Sequence, residues 1–420
     1  MNLGVVPYLD PHGGGTYQHT LAFMEALARR ADRGVDNFTV FLRDASDRDR
    51  VPRTWTTQML SPAAGFRHAL RRLGGSWGRR VWRALRPARG TPVAPETIRD
   101  DEAARARLLA AGIELMLYPT VDPLSFEAGL PYVMTVHDLQ FKLQPHWPEF
   151  ADVSNHWDYL LRFGVRWATL LIVDSEVGRE DVLQLYDGQI TADRVKVLPY
   201  LPAVDLSHVP LPKDVTRVRN TYDLPERYLF YPAQFWPHKN HARIVKAIAV
   251  LRDRHNLTAP IALAGTWTGG VRARTHEDVM ALASHLGVAS LLHCLGYVPD
   301  EDLAALYAGA VALVMPTFFG PTNIPVLEAW SLRCPVLTSG IRGIREQVGE
   351  AAILVDPTDI ESIAEGIRRL WTEDALRRTL VQRGRERIAV YPPQEFRRRF
   401  DAIVDEAVDR VRSGDAPRRV

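Results

Sequence analysis

Apolar positions along this chain recur with two alternating periods. Short runs rich in β-branched residues, "NLGVVPY" at the start and "NFTVFLR" from Asn37, have the length of buried strands. Between them, "TYQHTLAFMEALARR" spaces its apolar residues three and four apart, the period of a helix packed on one face. The pattern continues through "IELMLYP", "YVMTVHD", "LLIVDS", the helical "EVGREDVLQLY" and "RVKVLPY". Strands that alternate with helices imply a parallel sheet covered on both faces.

A stretch from Leu201 to Pro225, rich in Pro and Asp and weak in periodicity, reads as a linker. A second series then begins with "YLFYPAQ", a helix over 240–254 capped by Asn240, "PIALAG" and a helix over 274–286. It continues with "LLHCLGYV", a helix over 300–309, "VALVMPT", a helix over 324–332, "PVLTSG" and "AAILVD". The expected architecture is α/β, with two Rossmann-like doubly wound domains facing a central cleft. Their ranges are 1–200, with a basic insertion over about 51–95, and 226–392, joined by the linker 201–225. The amphipathic segment 393–420 is expected to be a helix that packs back toward the N-terminal domain and ends in a frayed tail. Ligands of such sheets bind outside the carboxyl ends of the strands.

Composition narrows the class. Lys and Arg number 52 against 50 Asp and Glu, a net charge of +2, so the chain as a whole is not drawn to nucleic acid and no nucleic-acid partner is expected. The two cysteines, Cys294 and Cys334, sit in apolar runs and read as buried thiols, which fits a reducing cytoplasm. The opening "MNLGVVPYL" reads as a first strand rather than a signal peptide, and no run reaches the roughly 18 apolar residues of a membrane span. A soluble, at most peripheral, cytoplasmic protein is expected. The charge is unevenly spread, however. Residues 51–95 carry nine arginines and no acid. Within them "FRHALRRLGGSWGRRVWRALRPAR" mixes Arg with Trp77 and Trp82. This stretch, 66–89, reads either as an attachment to an anionic membrane surface or lipid-linked acceptor, or as a solvated basic loop.

Four places carry candidate chemistry. Gly13, Gly14 and Gly15 lie between a strand and a helix, where backbone without Cβ approaches a ligand closely or simply turns tightly. The loop does not match G-x-G-x-x-G, which argues against a dinucleotide dehydrogenase. His137, just past a buried strand, is placed for hydrogen bonding to a ligand; no cluster with metal-ligand spacing accompanies it, and no metal is expected. Lys239 stands at a helix entrance, where a diphosphate gains both an ammonium and a helix dipole, and where a solvated surface charge is the plain alternative. In "FFGPTNIPVLEAW", Pro321 and Pro325 stiffen a turn, Thr322 and Asn323 offer polar side chains, and the Asn323 and Ile324 amides open a helix. Glu328 lies one turn inside that helix, as a ribose ligand or as a complement to the helix dipole.

Together with the later order "LGYVPDEDLAALYAGAVALVMPT", "CPVLTSGIRGIREQVGEAAILVDP" and a long helix, these motifs resemble the retaining glycosyltransferases of family 4, which have the GT-B fold. The resemblance covers nearly the whole chain. It implies a nucleoside-diphosphate-sugar donor as substrate, no cofactor, and a glycan, lipid-linked or small-molecule hydroxyl as acceptor. By the same resemblance His137 and Lys239 are catalytic, and Gly14, Gly15, Lys239 and Glu328 bind the donor; Gln234, Thr322, Asn323 and the Ile324 amide are added as donor-binding candidates from this chain's own loops. Two positions depart from the family: Gln234 stands where an arginine is common, and Gly320 replaces the first carboxylate of the Glu-x7-Glu motif. The expectation is a variant subgroup in which a cation and a carboxylate have been lost together, with Thr322 and Asn323 as neutral substitutes. Two alternatives remain open: a GT-B protein that binds nucleotide sugar without transferring it, and a sugar-nucleotide epimerase.

Overall fold

A computed structural model describes residues 1–60, 97–151, 153–202 and 209–417. The chain forms two compact units, one of residues 1–142, 152–199 and 396–420, the other of residues 143–151 and 200–395. The basic stretch 66–89, and most of the insertion around it, lies outside the described residues.

In the first unit the strands are β1 (Asn2–Val5), β2 (Asn37–Leu42), β3 (Thr57–Met59), β4 (Leu115–Tyr118), β5 (Tyr132–Thr135), β6 (Leu170–Val173) and β7 (Val195–Val197). They pair in the order β3-β2-β1-β4-β5-β6-β7, every pair parallel. β4, β5 and β6 are buried at every residue, which is why they read as unbroken apolar runs rather than alternating ones. In the second unit the strands are β8 (Leu229–Pro232), β9 (Ile261–Ala264), β10 (Leu292–Gly296), β11 (Ala312–Met315), β12 (Val336–Ser339) and β13 (Ile353–Val355). Their order is β10-β9-β8-β11-β12-β13, again parallel. Leu229 pairs with Ile261 on one side and Ala312 on the other, so β8 lies between β9 and β11. The winding direction reverses between β8 and β11, and loops at such a reversal part to leave a crevice.

The expected linker is not all linker. Pro212–Thr221 is a helix, started by Pro212 at its first position and by the Leu211 N–H donating to Asp214 Oδ2 at 3.0 Å. Of its ten residues only Val218 is buried, so its helical period was invisible to a reading of apolar spacing. Asp302 anchors it, accepting from Arg217 at 2.7 Å and from the Tyr222 hydroxyl at 2.9 Å. Cys334 is buried, but Cys294 is only half-buried; both are free thiols.

The closing helix, Pro393–Ser413, buries Phe396, Phe400, Ile403, Val404, Ala407 and Val408 along one stripe. From Phe396 onward it belongs to the first unit. The Phe400 ring meets Phe23 edge-on at 4.7 Å, and buried Arg30 is held between Asp36 at 2.6 Å and Asp405 at 2.5 Å. No described helix is long and apolar enough to cross a membrane.

Candidate active site

β8 ends at Pro232, and the chain turns through Gln234 and Trp236 into a short 3-10 turn, Pro237–Lys239. Asn240 then takes left-handed dihedrals (φ 64°, ψ 29°) before the helix His241–His255. It occupies the cap position, but its side chain makes no cap bond, which corrects the expected role. Instead Asn240 Nδ2 donates at 2.8 Å to the carbonyls of both Pro316 and Pro357. The left-handed residue thus aims its amide across the sheet to the end of β11. The Tyr231 hydroxyl donates to the Lys239 carbonyl at 2.9 Å, fixing the turn from below. Lys239 itself is half-buried.

The turn after β11 is stitched to the turn after β8. The Phe318 N–H donates to the His238 carbonyl at 2.8 Å, and Thr317 Oγ1 donates to the same oxygen at 3.2 Å. Gly320 follows with φ +143°, a region that residues bearing a Cβ rarely enter. A Cβ there would stand 2.8 Å from Asn323 Oδ1 and 2.9 Å from Nδ2. The Asn323 side chain therefore fills the space beside Gly320. Asn323 opens the helix Ile324–Ser331 and is gripped through its backbone, donating its N–H to Gln347 Oε1 at 3.0 Å and accepting from Gln347 Nε2 at 2.9 Å. Its residue is 5% exposed, yet its Nδ2 has no hydrogen-bond partner among the described residues. A buried, unpaired amide donor is costly, by about 1–3 kcal/mol, unless something accepts from it. Half-buried Thr322 lies between the two.

Glu328, one turn into that helix, is 5% exposed and accepts from the Tyr307 hydroxyl at 2.6 Å. One carboxylate oxygen is therefore engaged within the fold, a partner the sequence did not reveal. Burial, together with that neighbouring carboxylate, raises the Tyr307 phenol well above its ordinary range, so it stays a donor.

Gln234 is engaged within the fold through its side-chain oxygen. Its Oε1 accepts from Trp236 Nε1 at 3.0 Å and from Arg272 Nη1 at 2.9 Å. The expectation that this end had lost a cation is thereby corrected: Arg272, 38 residues away in sequence, brings a guanidinium to Gln234. Beside this contact lies Gly265 (φ +153°), where a Cβ would collide with the Ala233 carbonyl at 2.4 Å and the Gln234 nitrogen at 2.8 Å. The segment 143–151 also belongs here. Glu149 Oε1 lies 2.5 Å from His238 Nδ1, and Gln144 Nε2 donates to the Phe318 carbonyl at 3.1 Å. Burial and the Lys239 ammonium outweigh Glu149 and hold the His238 ring at about 4. His241 is pushed to about 3, chiefly by burial, and stacks on Phe235 at 4.3 Å.

The remaining candidates lie in the first unit. Gly14 (φ 59°) precedes the helix Gly15–Asp32 in a dihedral region that suits glycine, and Gly15 begins the helix. His137 follows β5, half-buried, with its ring bonded to the Pro119 carbonyl; burial lowers it to about 4, so it is neutral at pH 7. Buried His19, which the sequence reading did not single out, meets its ring edge-on at 5.2 Å. Asp47 and Asp49 stand in Asp-x-Asp spacing, which corrects the reading that the sequence holds no such pair. The Asp47 carboxylate is paired with Arg50 at 3.0 Å, and no group of three or more metal-ligating side chains occurs among the described residues.

Residues 212–387 match the family model for glycosyl transferases group 1. The chain is similar to the O-antigen chain mannosyltransferase B of Escherichia coli, 28% identical over 254 residues, which is 60% of this chain and 64% of that protein. The match thus spans less than two thirds of the relative's length. In fold it is similar to sucrose-phosphate synthase from Thermosynechococcus elongatus, with TM-score 0.73 and 18% identity over 97% of this chain and 99% of that one. It is also similar to Anabaena Alr3699/HepE, solved with UDP-glucose, with TM-score 0.70 and 16% identity over 96% of this chain and 99% of that one. The two parallel-sheet, Rossmann-like domains are those of the GT-B glycosyltransferase fold.

Proposed function

We propose that this chain is a glycosyltransferase that moves a hexose from a nucleoside-diphosphate donor to a hydroxyl of a glycan or lipid-linked acceptor, with retention at the anomeric carbon. The observation that carries this reading is the pair of stitched turns at the winding reversal of the second sheet. Lys239 lies on one, and the buried, unpaired Asn323 amide lies on the other. The first suits a diphosphate and the second a sugar hydroxyl. Glu328, on the helix that Asn323 opens, keeps the place of a ribose ligand. The mannosyltransferase likeness and the UDP-glucose complex of a fold neighbour support a nucleotide-sugar donor.

In this reading Lys239 stabilises charge on the departing diphosphate, the largest contribution such a site makes, and no metal is needed. Neutral His137, in the first unit, donates or accepts a hydrogen bond at the donor sugar. The first unit serves the acceptor, and the enzyme works in the cytoplasm, drawn to the inner membrane face by the arginines of 66–89. Incubation with UDP-, GDP-, ADP- and TDP-hexoses and a glycolipid extract tests the reading. Acceptor-dependent release of nucleoside diphosphate, with the product's anomeric configuration unchanged by NMR, is expected. Release without acceptor, or epimerised donor, contradicts it.

A further inference from the structure

Arg272 is the third residue of the helix Gly270–His285 and is half-buried. Its Nη1 donates to Gln234 Oε1 at 2.9 Å and to Thr266 Oγ1 at 3.3 Å, and its Cζ lies 5.0 Å from the centre of the Trp236 ring. Gln234 follows β8 by two residues and Thr266 follows β9 by two, so the guanidinium spans the carboxyl ends of both strands. Three neutral groups fix the fork. Among the described residues no carboxylate lies within ion-pair distance of Arg272, whereas Arg30, Arg217 and Arg254 each hold an acid.

An arginine fixed by neutral acceptors and an aromatic face is oriented but not neutralised. The Trp236 face offers far less than an anion in bidentate contact. The guanidinium is also preorganised, because Gln234, Thr266 and Trp236 have already reduced its rotamer freedom. Lys239 closes the turn that begins at Gln234, and the helix bearing Arg272 packs against that turn. Two cations therefore attend the β8 turn, and the ligand class that calls for two is one with two linked phosphates.

We propose that Arg272 is the second phosphate-binding residue of this unit, taking one phosphate of the nucleoside diphosphate while Lys239 takes the other. This rests on the reading of the Lys239 turn given above. Gln234 then acts through Arg272: its side chain holds the cation rather than meeting the ligand itself.

Calorimetric titration with UDP, GDP, inorganic pyrophosphate and the matching nucleosides tests this. Arg272→Gln should weaken nucleoside diphosphate and pyrophosphate about tenfold or more, and leave nucleoside affinity unchanged. Because Nη1 already lies against Gln234, a guanidinium grown from position 234 occupies the same place. The double variant Gln234→Arg/Arg272→Gln should recover most of the loss. Should Arg272→Gln fail to fold, Arg272→Lys carries the test, with a several-fold loss for diphosphate and none for nucleoside. Wild-type diphosphate affinity in the Arg272 variants, while Lys239→Ala binds weakly, overturns the role of Arg272 and leaves Lys239 standing. Wild-type affinity in Arg272→Gln and Lys239→Ala alike overturns the phosphate site itself.

Discussion

At the scale of single residues, Gly320 decides whether the site is adapted or damaged. Its φ of +143° and the 2.8 Å approach of Asn323 Oδ1 to a would-be Cβ leave no room for the missing carboxylate. Gly320→Glu must either strain the backbone by roughly 1–3 kcal/mol or expel the Asn323 side chain. It should therefore lower the melting temperature, bind donor worse and turn over more slowly. Asn323→Ala should lose mainly the donor sugar and spare the nucleoside diphosphate. A faster Gly320→Glu enzyme in a turnover assay with the preferred donor contradicts both. The glycine was legible in the sequence because it precedes Pro321 in a polar turn. Its neighbour in space was not, because a rotamer of Asn323 leaves no trace in residue order. Arg272 was still less legible: what joins it to Gln234 is the side-by-side placement of β8 and β9, not proximity in sequence.

At the scale of elements, β4, β5 and β6 were easiest to read, since burial on both faces makes each a short unbroken apolar run, whereas the polar, part-exposed β3 went unread. The helix Pro212–Thr221 escaped because its single buried residue carries no period. The turn after β8 shows how an element is held by groups that look functional in sequence. His241 lies at the head of its helix, stacked on Phe235 and held by burial near pKa 3, against an ordinary 6.5. The folded state thus favours the neutral ring. Below about pH 6.5 the unfolded chain gains a proton that the fold refuses, so stability is intact above that pH and falls as pH drops toward 3. His241→Phe keeps the stack and removes the titration. Its unfolding free energy, followed by urea denaturation from pH 6 to 4, should fall less steeply than wild type by about 1.4 kcal/mol per pH unit. Parallel slopes contradict a neutral buried His241.

At the scale of the whole molecule, the fold supplies the same opportunity twice: a sheet whose winding reverses beside its first strand, with loops gathered at the carboxyl ends. Among the described residues, the second sheet fills that place with cations, a buried unpaired amide and a buried carboxylate within one unit. The central proposal is that this unit binds a nucleoside diphosphate without a divalent metal. Thermal unfolding of the full chain in EDTA, with UDP, GDP, ADP or TDP added in turn, tests it most directly. One of the four, at a hundred times its dissociation constant, should stabilise the protein by about 2.7 kcal/mol, and Lys239→Ala should sharply reduce that gain. No shift with any of the four, or a shift that appears only when Mg²⁺ or Mn²⁺ replaces EDTA, contradicts it.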